Sequence, residues 1–122
     1  MTIGGHRPER IAEEIRHEVS LMLAGELKDP RLAIPLAVTE VRVGPDMRTV
    51  RVYVGFDPDQ DAGERAAALD GLKAAAGFVR HELVERLQLR RAPEVLFVVD
   101  ESEAQGQRIE QLLREAKKSE EE

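Results

Sequence analysis

Apolar residues recur every three or four positions in the first part of the chain and predict a helix from about Pro8 to Lys28. The stripe consists of Ile11, Ile15, Val19, Met22, Leu23 and Leu27. A proline is compatible with the first helical turn because its missing N–H would have no partner there. The helix must end before Pro30, since the residue ahead of a proline is pushed out of the helical region.

Two segments of alternating apolar and polar residues follow and predict strands over Leu36–Val43 and Val50–Phe56. Gly44-Pro45-Asp46 forms the connection, which is short enough to make the pair an antiparallel hairpin. One face of the hairpin is apolar, with Thr39, Val41 and Val43 on the first strand. The polar positions Glu40, Arg42, Arg51 and Tyr53 are expected on the opposite, open face.

A second helical pattern runs from Glu64 to about Leu89 and contains Gly77 in its middle. A glycine in a helix interior costs about 1 kcal/mol relative to alanine, so we expect a kink that divides this stretch into two helices. Val95–Val99 is nearly all apolar and predicts a third strand, in a central position of the sheet. A capping box at Ser102–Gln105 predicts a short last helix.

The predicted order is α-β-β-α-kink-α-β plus a C-terminal helix, with the helices on one face of a three-stranded sheet, an α+β arrangement. A chain of 122 residues has the usual size of one domain. We expect that domain to span residues 1–116. Residues 117–122, which end in three glutamates, are expected to form a flexible acidic tail.

The composition limits the possible functions. Because the chain has no cysteine, disulfides, thiolate metal sites and a cysteine nucleophile are excluded, and a reducing compartment fits. The longest apolar run is only a few residues, and the N-terminal residues lack the apolar segment of a secretory signal. We therefore expect a cytoplasmic protein that does not span a membrane.

The net charge of −6 argues at first against nucleic acid, but the acidic residues are concentrated near the end of the chain. Residues 100–122 contain eight acids and four bases, whereas residues 1–99 contain sixteen acids and fourteen bases. Twelve of those fourteen bases are arginine, whose planar fork binds phosphate oxygens in pairs. Arginine is also abundant in some proteomes without any functional reason, so composition alone leaves RNA binding open.

Catalytic and metal-binding patterns are missing. His81 and Glu82 begin like a zinc-protease motif, but Glu85 stands where the second histidine is needed. The acids from Asp57 to Asp61 resemble a calcium loop that lacks its glycine and its final glutamate. No serine lies in a nucleophile elbow, and no glycine-rich phosphate loop is present. We expect neither a metal nor a cofactor, and no enzyme activity.

Several short segments, in order and spread over about residues 7–113, resemble the ribosome-binding factor A family. They are Arg7 to Arg10, Asp29-Pro30-Arg31, Val41-x-Val43-x-x-Asp46, Val52-Tyr53-Val54, Ala75-Ala76-Gly77 and Pro93-Glu94-Val95-Leu96-Phe97-x-x-Asp100. The family usually has leucine where this chain has Val95. The resemblance implies a KH-like fold of type II, in which a kinked Ala-x-Gly joint takes the place of the glycine loop that brings KH domains close to RNA.

The resemblance also implies a function. Members of the family associate with the free or immature 30S subunit and assist late 16S rRNA processing, often in connection with growth in the cold. They act without catalysing a reaction and are released by a ribosome-associated GTPase. For this chain the resemblance implies 16S rRNA in the 30S subunit as the partner, with a monomer as the expected state.

Arginines and one lysine near the predicted kink are the candidate RNA contacts. They are Arg31, Arg80, Arg90 and Arg91, with Lys73, Arg7 and Arg10 as weaker candidates and Ala75-Ala76-Gly77 as the kink. For Asp29-Pro30-Arg31, ending the helix is as good an interpretation as RNA contact. An alternative function is a protein-interaction module that docks a partner through the open sheet face or the last helix, with the arginines as solvated surface.

Overall fold

The computed structural model describes residues 8–101 and 111–116 and confirms an α+β fold with a three-stranded sheet. The helices are α1 (Pro8–Leu21) and α2 (Ala62–Leu87), and the strands are β1 (Leu36–Val43), β2 (Thr49–Phe56) and β3 (Glu94–Val99). Residues 111–116 are helical, whereas the predicted cap at Ser102 and the acidic tail lie outside the described residues.

Helix α1 follows its apolar stripe, because Ile11, Ile15 and Val19 are almost completely buried. It passes into a π-helical turn at Met22–Glu26, which the Leu27 N–H closes by donating to the Met22 carbonyl oxygen at 3.0 Å. A 3₁₀ turn follows at Pro30–Leu32. The predicted helix to Lys28 is therefore confirmed over most of its length, with a wider last turn than the pattern indicated.

The sheet has the order β1-β2-β3, with β1 antiparallel to β2 and β3 parallel to β2. The predicted central position of the third strand is wrong: β2 is central, and β3 forms one edge of the sheet as the structure describes it. Alternate β3 residues explain the apolar pattern. Val95 and Phe97 are buried in the core, whereas Leu96 on the other face is 37% exposed.

A β-bulge interrupts β1 between Val38 and Glu40, so the predicted simple alternation through Thr39 is wrong. Val38 and Val41 both face the core, and Thr39 is the additional residue between them. The buried Thr39 hydroxyl donates to Asp100 Oδ2 at 2.8 Å and lies 3.3 Å from the Tyr53 carbonyl oxygen. The bulge thus links β1 to the point where the chain leaves β3.

Helix α2 is continuous, which corrects the expected division into two helices at Ala75-Ala76-Gly77. Leu72 lies before Gly77 and Val79 and Leu83 lie after it, and all three are fully buried on the same side of the helix. Burial of a Val or Leu side chain contributes roughly 1.5–3 kcal/mol, so together these side chains outweigh the cost of about 1 kcal/mol for one interior glycine.

Both helices pack on one face of the sheet, as predicted, α1 mainly against β1 and α2 mainly against β3. The core between the two layers contains apolar side chains from every helix and strand described above. Its members are Ile11, Ile15, Val19, Met22, Val38, Val41, Val50, Val52, Val54, Phe56, Ala68, Leu72, Val79, Leu83, Val95 and Phe97. The opposite face of the sheet is not covered by α1 or α2.

One guanidinium joins the two helices outside this core. Arg86 near the end of α2 binds Glu82 at 3.0 Å on its own helix, Glu18 on α1 at 3.3 Å, and Glu26 in the π-helical turn. The hydrogen bond from Arg86 lowers the pKa of Glu26, and the three carboxylates, Glu26 foremost, raise the pKa of Arg86. The cluster thereby fixes the π-helical turn against α2.

The Arg86→Met variant tests this cluster through the pH dependence of stability. A carboxylate whose folded-state pKa is lowered stabilises the fold above its unfolded pKa and loses that contribution as the pH falls through the folded value. We expect a lower urea midpoint for Arg86→Met than for wild type at pH 7, and a difference that shrinks as the pH falls to about 3.

Arg48→Met is the matched control, because Arg48 is exposed and lies 4.0 Å from Asp46 in the hairpin turn. Its urea midpoint should follow wild type at every pH. A constant deficit of Arg86→Met across the pH range would show that Arg86 acts through packing and not through its charge.

Candidate nucleic-acid interface

A shallow groove lies between α2 and the segment that leads into β3. Its volume is about 320 Å³, and it is lined by Gly77, Arg80, His81, Val84 and Ala92. Gly77, Arg80 and Val84 are three and four residues apart, so the helical repeat places them on one face. Lys73, four residues before Gly77, extends the same face toward the N-terminus of α2.

The other wall of the groove depends on how α2 ends. Gln88 adopts the left-handed conformation, with φ of 54°, and its backbone N–H donates to the Val84 carbonyl oxygen. The Leu89 N–H donates to the same oxygen at 3.2 Å. These bonds turn the chain back, and the short connection then brings Ala92 beside α2.

Gly77 forms the bare part of the groove. A Cβ atom built at this position would meet no other atom within 4 Å, so no packing contact requires a glycine here. Glycine also weakens the helix relative to alanine. Because glycine has no side chain, the helix backbone is exposed at this position, and another chain can approach it closely.

Four of the predicted cations belong to α2 or to the connection that follows it. Arg80 lines the groove, and Lys73 lies seven residues earlier, roughly 10 Å along the helix axis. Arg90 and Arg91 belong to the connection that also contains Ala92. All four side chains are exposed, and within residues 8–101 and 111–116 none of them has a hydrogen bond or an ion pair. Their charges are therefore available to a ligand.

Arg31 lies elsewhere. Its guanidinium binds the Asp29 carboxylate through Nε at 3.1 Å and through a terminal nitrogen at 2.7 Å, while its backbone N–H donates to the same carboxylate at 2.9 Å. This pairing lowers the pKa of Asp29 and raises that of Arg31. Arg31 packs near Gly71, which is buried, on a part of α2 outside the groove. Its contacts are those of a chain turn, and RNA contact by Arg31 stays a prediction.

Arg10 and Arg7 are the other two weaker candidates beside Lys73. Arg10 is exposed on α1, where its Nε lies 3.7 Å from Glu14. Arg7 lies outside the described residues. Of the seven cations that the sequence indicated, the structure therefore brings Arg80 to the groove, with Lys73 on the same face and Arg90 and Arg91 in the adjoining connection.

The free edge of β3 adds backbone groups that sequence reasoning missed. The Glu94 N–H donates to Arg48 and the Asp100 N–H donates to Val54, both at 2.8 Å, toward β2. In a parallel pair of strands, the N–H and C=O groups of every second residue point toward the same neighbouring strand. The N–H and C=O groups of Val95, Phe97 and Val99 therefore point away from β2. A central third strand would have used these groups, which is why the sequence prediction did not include them.

Metal and membrane chemistry receive no support from the described residues. Within residues 8–101 and 111–116 no three His, Asp or Glu side chains are grouped so that they could hold a metal ion. In the same ranges no helix has the length and apolar character needed to cross a membrane.

Known proteins match both the sequence and the fold. A model of the family "Ribosome-binding factor A" matches residues 7–113. A protein of that name from Anaeromyxobacter dehalogenans strain 2CP-C is 47% identical over 112 residues, which are 92% of this chain and 80% of the relative.

Two solved structures share the fold. The solution NMR structure of a Thermotoga maritima protein described as a ribosome-binding factor A homologue has a TM-score of 0.66 and 28% identity, covering 84% of this chain and 94% of that chain. The crystal structure of ribosome-binding factor A from Thermus thermophilus has a TM-score of 0.65 and 24% identity, covering 77% and 97%. These likenesses confirm the KH-like α+β fold. With a family match over most of its length and relatives this similar, the chain belongs to the ribosome-binding factor A family.

Proposed function

We propose that this protein binds the free or immature 30S subunit through 16S rRNA and assists late steps of its processing without catalysing a reaction. Membership of a family named for ribosome binding supports the ribosome as the partner. The observation that carries the RNA-binding part is the groove, in which Gly77 exposes the helix backbone beside Arg80, whose guanidinium has no partner among the described residues.

The sugar–phosphate backbone fits this combination of features. Without a Cβ at position 77, a ribose or phosphate can lie directly against the helix backbone. The planar guanidinium of Arg80 can then donate two parallel hydrogen bonds to one phosphate group. Lys73 on the same face of α2 and Arg90 and Arg91 in the adjoining connection add positive charge. Each neutralised phosphate adds a salt-dependent increment to affinity.

Bases would be recognised mainly by backbone groups in this arrangement. The chain contains one tyrosine and three phenylalanines, and none of these lines the groove. Stacking on aromatic rings therefore contributes little at this site. The N–H and C=O groups on the free edge of β3 can instead pair with base edges, as another strand would pair with them.

The remaining features of the function follow from family membership and are part of the proposal. They are release by a ribosome-associated GTPase, action as a monomer in the cytoplasm, and a role in cold growth. The chain also has many acidic residues near the C-terminus. We expect them to repel RNA from unspecific sites on the protein.

Sedimentation of a cell lysate through sucrose gradients tests the function directly. We expect the protein to migrate with the 30S peak at low salt and to leave it as the salt concentration rises, because phosphate contacts release counterions. Protein that stays at the top of the gradient at all salt concentrations would contradict ribosome binding and favour the protein-interaction alternative.

The Gly77→Ala variant tests the bare position in the groove. The new methyl group meets no neighbour within 4 Å and removes a helix-weakening glycine, so the free energy of unfolding should rise by about 1 kcal/mol. Affinity for 30S subunits should fall, roughly tenfold, because the methyl group occupies the space that the RNA backbone needs.

Gly25→Ala is its matched control, because Gly25 is also exposed and a Cβ there also meets nothing within 4 Å. This control should bind 30S subunits like wild type. Wild-type affinity of Gly77→Ala, measured together with its increased stability, would remove Gly77 from the interface.

The double variant Arg80→Gln/Arg90→Gln tests the charges. The slope of log affinity against log salt concentration should become shallower by about 0.7 for each phosphate that the variant no longer neutralises. Lys28→Gln is the control, because Lys28 is exposed and follows the π-helical turn, outside the groove lining. A double variant with the slope of wild type would show that neither arginine contacts phosphate.

A further inference from the structure

The sheet face opposite the helices carries an ordered set of side chains that the groove does not use. The strand register places Arg42, Arg51 and Leu96 in one row across β1, β2 and β3. The neighbouring row consists of Glu40, Tyr53 and Val98. Polar and aromatic groups thus lie in the middle of this face, beside an apolar residue that is 37% exposed, Leu96.

Arg42 and Arg51 are direct cross-strand neighbours. Side chains in such a pair start from Cβ atoms about 4.5–5.5 Å apart, and like charges in this position are destabilising. Glu40 compensates one of them by binding Nε of Arg42 at 3.0 Å. For Arg51 no ion pair is found among the described residues, although Glu94 lies on the same face one row away. Among the described residues, no carboxylate bound to Arg51 offsets the repulsion between the two guanidinium groups.

Tyr53 and Glu40 hold Arg42 in place. The guanidinium carbon of Arg42 lies 5.4 Å from the centre of the Tyr53 ring, a cation–π contact. Glu40 occupies only Nε, and the Arg42 side chain remains 67% exposed. The two terminal nitrogens and one side of the guanidinium plane are consequently open to a ligand.

We propose that this face is a second RNA-binding surface, separate from the groove, in which one phosphate lies between Arg42 and Arg51. Guanidinium groups bind phosphate oxygens in pairs, and their planes accept stacked bases. Leu96 in the same row offers apolar contact to a sugar or base. An acidic peptide would satisfy the charges but would not use the open guanidinium plane. The proposal rests on the proposed function for its ligand, rRNA.

The position of this face has a consequence for how the protein binds. The groove includes residues of α2, on the helical side of the sheet, whereas Arg42 and Arg51 lie on the opposite side. RNA bound at both places would be two separate segments with the sheet between them. The protein would then act as a spacer that fixes the distance between two parts of the same rRNA.

An NMR titration of the full ¹⁵N-labelled chain with a four-nucleotide oligouridylate tests the inference. So short a probe does not reach both sides of the sheet, so each surface gives its own set of shifted amide signals. We expect one set around Gly77, Arg80 and Ala92 and a second around Arg42, Arg51 and Leu96. Oligoglutamate at the same charge concentration should shift the second set clearly less.

Arg51→Gln separates the two surfaces. It should weaken binding at the sheet face about fivefold or more while the groove signals titrate as in wild type. Arg48→Gln is the matched control, since it removes the same charge from the neighbouring hairpin turn and should leave both sets unchanged.

Each other outcome decides between the two proposals. If only the groove signals shift, or if Arg51→Gln behaves like Arg48→Gln, the sheet-face inference is overturned and the groove stands. If only the sheet-face signals shift, the groove proposal fails and the inference stands. Equal shifts with oligoglutamate would identify a general anion or protein site and overturn the RNA assignment, and no shift at either surface would overturn both.

Discussion

The packing of α2 on the sheet is the interaction on which the rest of the structure depends. Leu72, Val79 and Leu83 are completely buried against the strands, and they hold the helix in one piece across Gly77. Because the buried side is fixed, the opposite side of the helix is fixed as well, and Gly77 and Arg80 face solvent together. The same packing places α2 along the edge strand β3, so that the groove forms between α2 and the segment that leads into β3. The positions of Gly77 and Arg80 in the candidate interface thus follow from the packing of the core.

The sequence was sufficient for the local elements and insufficient for their long-range arrangement. Periodicity located both helices and all three strands, because burial of one face imposes a repeat that can be counted. The place of β3 in the sheet was predicted wrongly, since an apolar strand is compatible with the centre and with an edge that a helix covers. The bulge at Thr39 was missed because the residue that its hydroxyl binds, Asp100, lies 61 residues away in the sequence. Two separate helices were expected around Gly77 because helix propensity considers one residue, whereas packing acts along the whole helix.

The candidate site, like the fold, could be predicted only in part from the sequence. Arg80 and the following Arg90–Arg91 were selected because helical spacing and chain proximity relate them to Gly77, and their contact with RNA stays a prediction. Arg31 could not be separated from them, since only coordinates show its carboxylate partner Asp29. The contributions of Ala92 and of the β3 edge depend on where the chain returns after α2, and no local pattern encodes that path. The helix repeat thus indicated that Arg80 lies near Gly77, which arginine content alone could not show.

The left-handed turn at Gln88 restricts the backbone conformation of one wall of the groove. A residue other than glycine holds φ at 54° there, and its side-chain amide donates to the Glu85 carbonyl oxygen at 2.9 Å. Since few conformations satisfy both conditions, the direction in which the chain leaves α2 is restricted. If RNA binds in the groove as proposed, this wall loses little chain entropy on association, and the RNA has to adapt its shape to the wall.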